Sequence, residues 1–181
     1  VTWNSTWQRM VAQGLFVRGS GNVVICDARH IEEIYKLGCY GSSASTGSLK
    51  PLFLRKNRRR FRDQDADASW VEPWRVTLIE AYYMMTKGQL EVSLVGGGGP
   101  LSLDSAWLQF SSETSDISSP ERFASLYATY DNLRKQGWVV KMGQTYGGHF
   151  VIYQGDPDYY HSAFCVLVRN ASGEERCKLY A

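Results

Sequence analysis

The chain has little of what would announce a metal centre, a membrane span or a strongly charged partner. Its four cysteines, Cys26, Cys39, Cys165 and Cys177, are spread without C-x-x-C spacing, which argues against a zinc framework. No stretch reaches the roughly 18 consecutive apolar residues that a membrane-spanning helix requires. Residues 1–14 lack the basic start and apolar run of a secretory signal. A net charge of +2 is too small for overall charge to mark a nucleic-acid binder, so local clustering has to carry any such argument. The run of glycines at 96–99 is followed by Pro100 instead of Lys-Ser/Thr, so it is a turn and not a phosphate loop.

What is present is apolar and aromatic. With 44% hydrophobic and 13% aromatic residues in 181, the chain can bury one sizeable core or two small ones. Short apolar runs at 15–17 and 23–26 flank Arg18-Gly19-Ser20-Gly21-Asn22 and read as two strands around a turn. Asp27 caps a helix with Ile31, Ile34 and Tyr35 on one face, stopped by Gly38. His30, in its first turn, has no second ligand at i+4 and reads as a polar surface residue. Residues 42–70 read as a mobile connector, serine- and glycine-rich at first and then charged in blocks. Its basic run, residues 55–62, suits RNA phosphates, a nuclear-import signal or a merely solvated linker.

Thr77 and Glu80 form a capping box before a helix with Leu78, Tyr82 and Met85 on one stripe, ended by Gly88. Residues 90–95 alternate as a half-buried strand. Ser102 starts a helix that groups Leu103, Trp107 and Phe110, and polar residues 111–119 mark a boundary between halves. Ser119-Pro120-Glu121 then opens a long helix with Phe123, Leu126, Tyr127, Tyr130 and Leu133 inward and Arg122, Asp131, Arg134 and Lys135 outward, stopped by Gly137. Three short β-rich runs follow at 138–142, 150–153 and 164–168. Tyr153 ends the second and His161 precedes the third. A phenol and an imidazole at one rim of a sheet suit proton transfer, although a lone Tyr or His at a strand end is more often a satisfied surface or half-buried group.

The segment Tyr130-Asp131-Asn132-Leu133-Arg134-Lys135-Gln136-Gly137-Trp138-Val139-Val140-Lys141-Met142-Gly143, then Tyr146-Gly147-Gly148-His149-Phe150-Val151-Ile152-Tyr153, then Tyr160-His161-Ser162-Ala163-Phe164, resembles the signature of tRNA-splicing endonuclease catalytic subunits. Three blocks in the right order and spacing are far more specific than any one alone. Upstream, the helix that Asp27 opens and Leu78-Ile79-Glu80-Ala81-Tyr82-Tyr83-Met84-Met85 resemble two further helices of that family.

The resemblance implies an α/β (α+β) chain: a mixed N-terminal domain, 1–118, then a catalytic domain, 119–181, of a restriction-endonuclease-like helix with a small mixed sheet. It implies a metal-independent RNA endonuclease without cofactor, acting on intron-containing precursor tRNA in the nucleus, with a second catalytic subunit and two structural ones as partners and no membrane. Tyr153 would be the base or orienter and His161 the acid. Arg134, Lys135 and Lys141 are candidate phosphate contacts, with a solvated face as the alternative. His149 is not a position of the signature. The family's lysine lies some thirty or more residues beyond the histidine, and Lys178 does not sit in matching surroundings. That lysine is therefore expected past Ala181, in keeping with a chain that begins on valine and reads as a fragment. Two other readings stay open: a structural subunit of the same assembly, and a secreted domain held by two disulfides, which the sequons at Asn4 and Asn170 would permit.

Overall fold

The computed structural model describes residues 10–54, 71–113, 120–169 and 179–180. β1 (Ala12–Phe16) alternates buried and exposed residues along its length and pairs antiparallel with β2 (Asn22–Ile25), the hairpin expected from the two apolar runs. The Asp27 carboxylate accepts the Arg29 and His30 N–H groups at 2.8 and 3.0 Å and starts α1 (Ala28–Gly38). The helix runs through Gly38, and the left-handed turn falls on Cys39, φ 55°, whose N–H donates to the Tyr35 carbonyl. Gly38 is needed for space: a Cβ there would lie 2.0 Å from an Arg134 guanidinium nitrogen.

Residues 42–54, expected as part of a mobile connector, are instead built into the fold. β3 (Ser42–Ser43) pairs antiparallel with β4 (Trp74–Thr77), Ser43 and Lys50 are buried, and a single 3-10 turn follows at Leu52–Leu54. The basic run at 55–62 and the acidic residues after it lie outside the described residues. The Thr77 hydroxyl and the Glu80 carboxylate close the expected capping box on α2 (Leu78–Thr86). α2 is not one-sided, however: Leu78, Ile79, Glu80, Ala81, Tyr83 and Met84 are all buried, because the helix lies between the first sheet and two later helices. β5 (Leu90–Leu94) runs parallel to β1 and completes a mixed sheet of order β3-β4-β2-β1-β5. In α3 (Leu103–Glu113), Ala106 and Phe110 face inward while Leu103 is 43% exposed, so the inward stripe starts one turn later than expected.

α4 (Pro120–Lys135) buries Phe123, Leu126 and Tyr130 as its spacing predicts. Gly137, φ 90°, ends the turn that follows it. β6 (Val139–Met142), β7 (Phe150–Tyr153), β8 (Phe164–Val166) and β9 (Leu179–Tyr180) then pair in sequence order. All these pairings are antiparallel, where a mixed sheet was expected. The two sheets thus fall on either side of residues 114–119, which lie outside the described residues.

The core runs across both halves. Tyr83 of α2 meets Tyr130 of α4 edge-on at 5.4 Å, and Tyr130 meets Phe150 of β7 at 5.8 Å. A second aromatic group joins Tyr82 to Trp107, Phe123 and Tyr127. Edge-to-face pairs of this kind add about 0.5–1.5 kcal/mol each beyond the area they bury. They make the helix layer the common floor of both sheets.

Candidate active site

Tyr153 is the last residue of β7, paired with Val139 of β6. The Ala163 N–H donates to the Ile152 carbonyl at 2.8 Å, so the loop between β7 and β8 closes immediately beyond Tyr153. His161 stands two residues before that bond. The register Ile152↔Phe164 therefore brings both residues to one end of the sheet, as the sequence suggested. Tyr153 keeps 8% of its surface open, while His161 is exposed. Among the described residues neither side chain meets a hydrogen-bond partner. Burial and the nearby Tyr146 phenol push the Tyr153 hydroxyl above its ordinary pKa, so it stays protonated through neutral pH.

The turn before β7 explains the glycines of the signature. Gly147 has φ 73°, and a Cβ on Gly143 would come within 2.7 Å of the Phe150 backbone. His149 sits at the start of β7, the far end from Tyr153, and is no part of their rim. Its Nδ1 accepts the Val168 N–H at 2.9 Å, and with Arg122, Leu126, Leu167, Val168 and Arg169 it lines a separate cleft of about 270 Å³.

The loop carrying His161 is held from the other half of the molecule. Asp156 accepts the Asp158 N–H at 2.9 Å and the Tyr35 hydroxyl of α1 at 2.7 Å. Its carbonyl takes the N–H groups of Tyr159 and Tyr160. Lys50 lies 3.5 Å from Asp156, 3.2 Å from Asp158 and 4.6 Å from the Tyr159 ring centre. The acidic residues are plain in the sequence but their partner is not, because Lys50 sits in a stretch whose composition signals a linker. Burial works against the charged form of Asp156, but the Asp158 N–H, the Tyr35 hydroxyl and Lys50 outweigh it and hold its pKa below the ordinary carboxylate value. A depressed carboxylate pKa contributes stability above the unfolded value, about 3.9, and loses it as pH falls through the folded one. Below about pH 4 the loop is therefore expected to loosen. Faster hydrogen exchange at Tyr159 and Tyr160, ahead of the β7 amides, would show it; simultaneous exchange would contradict it.

Two of the three expected phosphate contacts are interior groups. Lys141 is 5% exposed; its ammonium donates to the Cys39 carbonyl and, at 2.7 Å, to the Gly41 carbonyl, and faces Glu80 at 3.8 Å. Burial lowers its pKa and Glu80 pulls it back up. Arg134 donates to the Gly38 and Trp138 carbonyls and the Tyr40 hydroxyl, with its guanidinium 4.6 Å from the Tyr40 ring centre. Both cations tie the segment at the end of α1 to the second sheet, with their donors taken up by protein groups instead of being presented to a phosphate. Lys135 is exposed and paired with Asp131 at 2.5 Å. Cys26, Cys39 and Cys165 are free thiols, and Cys177 lies outside the described residues, so no disulfide supports a secreted domain among the described residues.

The stretch that holds most of α4 and the second sheet, residues 123–179, fits the family described as "tRNA intron endonuclease, catalytic C-terminal domain". The chain is 32% identical over 145 residues to the tRNA-splicing endonuclease of Sulfolobus acidocaldarius, covering 80% of this chain and 67% of that protein. It is 30% identical over 118 residues to tRNA-splicing endonuclease subunit Sen2-1 of Arabidopsis thaliana, covering 65% of this chain and 46% of that one. Against subunit SEN2 of Saccharomyces cerevisiae it is 27% identical over 128 residues, 70% and 32% of the two chains. The chain belongs to the tRNA-splicing endonuclease family. It spans less than half of each of those two eukaryotic relatives and about two thirds of the archaeal one.

Proposed function

We propose that this chain is a catalytic subunit of a tRNA-splicing endonuclease and cuts intron-containing precursor tRNA at a splice site. The observation that carries the reading is the placement of Tyr153 and His161 at one end of adjacent antiparallel strands, both without a partner among the described residues. In the reaction the ribose 2′-oxygen forms a bond to the adjacent phosphorus and the bond from phosphorus to the 5′-oxygen breaks. The 2′-hydroxyl gives its proton to solvent water and the departing 5′-oxygen takes one from His161, leaving a 2′,3′-cyclic phosphate and a 5′-hydroxyl. Tyr153, protonated near neutrality, orients the 2′-hydroxyl as a hydrogen-bonding group and does not serve as a free phenolate base. His161 supplies the proton to the 5′-oxygen.

Lys135 is the one exposed cation left of the three expected phosphate contacts, and it would exchange Asp131 for the RNA backbone. A second catalytic subunit and two structural subunits are the proposed partners, and the nucleus the proposed site. Among the described residues no helix is long and apolar enough to cross a membrane.

The test is end-group analysis. The full-length protein, in its assembled complex, is given intron-containing precursor tRNA with excess EDTA. Cyclic phosphate and 5′-hydroxyl ends formed at an unchanged rate are the expected products. Ends carrying 3′-hydroxyl and 5′-phosphate, or loss of cleavage in chelator, would contradict the proposal.

A further inference from the structure

We infer that Lys50 is a positioning residue for His161, setting the place of the proton donor by locking Asp156 and Asp158 against the N-terminal half. The inference rests on the reading of His161 as the acid.

Lys50 is 7% exposed, an unusual place for an ammonium, and such burial is tolerated only where the charge is paired. Among the described residues that ammonium meets two carboxylates, the Tyr159 hydroxyl at 3.5 Å and the Tyr159 and Tyr35 rings. Three of the four residues belong to the loop that leads to His161, and the fourth, Tyr35, itself donates to Asp156.

The other end of the clamp is equally fixed. The Ser48 hydroxyl donates to the Lys50 carbonyl at 2.9 Å, and the Ser48 carbonyl accepts the Ser43 N–H at 2.8 Å, which ties Lys50 to β3 and so to the first sheet. Gly155 adds a close fit inside the loop, since a Cβ there would meet the Tyr160 ring at 2.7 Å.

Loop 154–163 therefore owes its position to a cation and a phenol from outside its own sheet. With the cation gone, Asp156 and Asp158 would face each other uncompensated beside a half-buried surface. The turn would relax, and His161, exposed and otherwise unheld among the described residues, would move with it. A displacement of about 1 Å in a reacting group costs on the order of a hundredfold in rate. Lys135, the proposed backbone contact, lies on α4 outside this loop, so binding should change little.

The experiment compares two substrates in the full-length, assembled enzyme: ordinary precursor tRNA, and the same RNA with sulfur replacing the 5′-oxygen at the cut. A thiolate departs without a proton, so the sulfur substrate bypasses the acid. Lys50→Met is expected to lower single-turnover cleavage of the oxygen substrate roughly 10- to 100-fold, with KM little changed and the sulfur substrate cut near the wild-type rate. Lys50→Arg should restore most of the loss. Tyr35→Phe, which leaves the charges in place, should give a smaller loss with the same selectivity and serves if Lys50→Met folds poorly.

Equal loss on both substrates would show a merely structural role and overturn the inference, as would an unchanged rate on the oxygen substrate. His161→Ala run alongside separates the two claims. If His161→Ala itself leaves the oxygen substrate unaffected, the acid assignment fails. If it loses only the oxygen substrate while Lys50→Met loses neither, the inference about Lys50 fails alone.

Discussion

Replacing His161 with alanine in the full-length, assembled enzyme is expected to slow cleavage of precursor tRNA by about 10²–10⁴-fold, the usual worth of a positioned proton donor. The loss should fall on the single-turnover rate and leave melting temperature unchanged, because the imidazole is exposed and makes no contact that the fold needs among the described residues. Tyr153→Phe is expected to lose less, about 10- to 100-fold. The Tyr153 hydroxyl is held protonated by burial, and what phenylalanine removes is a hydrogen bond that orients the attacking group. Wild-type rates in both variants, with the fold intact, would make this chain a structural subunit. A larger loss for Tyr153→Phe than for His161→Ala would reverse the division of roles between them.

The second large effect is on stability. Lys141→Met is expected to destabilise the protein by about 3–5 kcal/mol, the cost of stripping the counter-charge from a buried pair. The Glu80 carboxylate would stay behind, buried, holding the Thr77 N–H and the Gly41 N–H, while the Cys39 and Gly41 carbonyls would lose their donor. In a chain of this size that corresponds to a fall in melting temperature of about 10 °C. Adding Glu80→Gln should recover part of the loss, since no unpaired charge would then remain, although the amide weakens the capping box. A change below about 1 kcal/mol, the range of surface pairs, would show that Lys141 is solvated in solution.

Local chemistry made much of this protein readable. Ser119-Pro120 and the spacing of Phe123, Leu126 and Tyr130 define α4, Thr77 and Glu80 define the start of α2, and the apolar runs give β6, β7 and β8 because each of these depends on near neighbours. Tertiary partners were not readable. Lys141 follows Val139 and Val140 like the solvent-facing residue of an alternating strand, yet it turns inward because the end of α1 offers two carbonyls there. Arg134 looks like the polar face of a helix but fills the space that Gly38 leaves open. Residues 42–50 have the composition of a linker, and only the pairing of Ser42 and Ser43 with β4 reveals a strand that carries Lys50 to the loop between β7 and β8.

The same limit applied to the site. The family signature and the strand pattern single out Tyr153 and His161 as candidates, while their placement at one end of the sheet depends on the register Ile152↔Phe164, which no local signal encodes. The clamp of Tyr35, Lys50 and Asp156 joins residues more than a hundred positions apart and left only one visible trace, an acidic pair flanking Pro157.

The most direct measurement is a structure of the assembled enzyme bound to precursor tRNA that carries a 2′-deoxyribose at the cut, which blocks the attack and traps the complex. The Tyr153 hydroxyl is expected beside the missing 2′-position and a His161 ring nitrogen within hydrogen-bond reach of the 5′-oxygen, about 2.6–3.2 Å. A scissile phosphate seated away from this end of the sheet, or reached by only one of the two side chains, would contradict the assignment of the reaction to this pair.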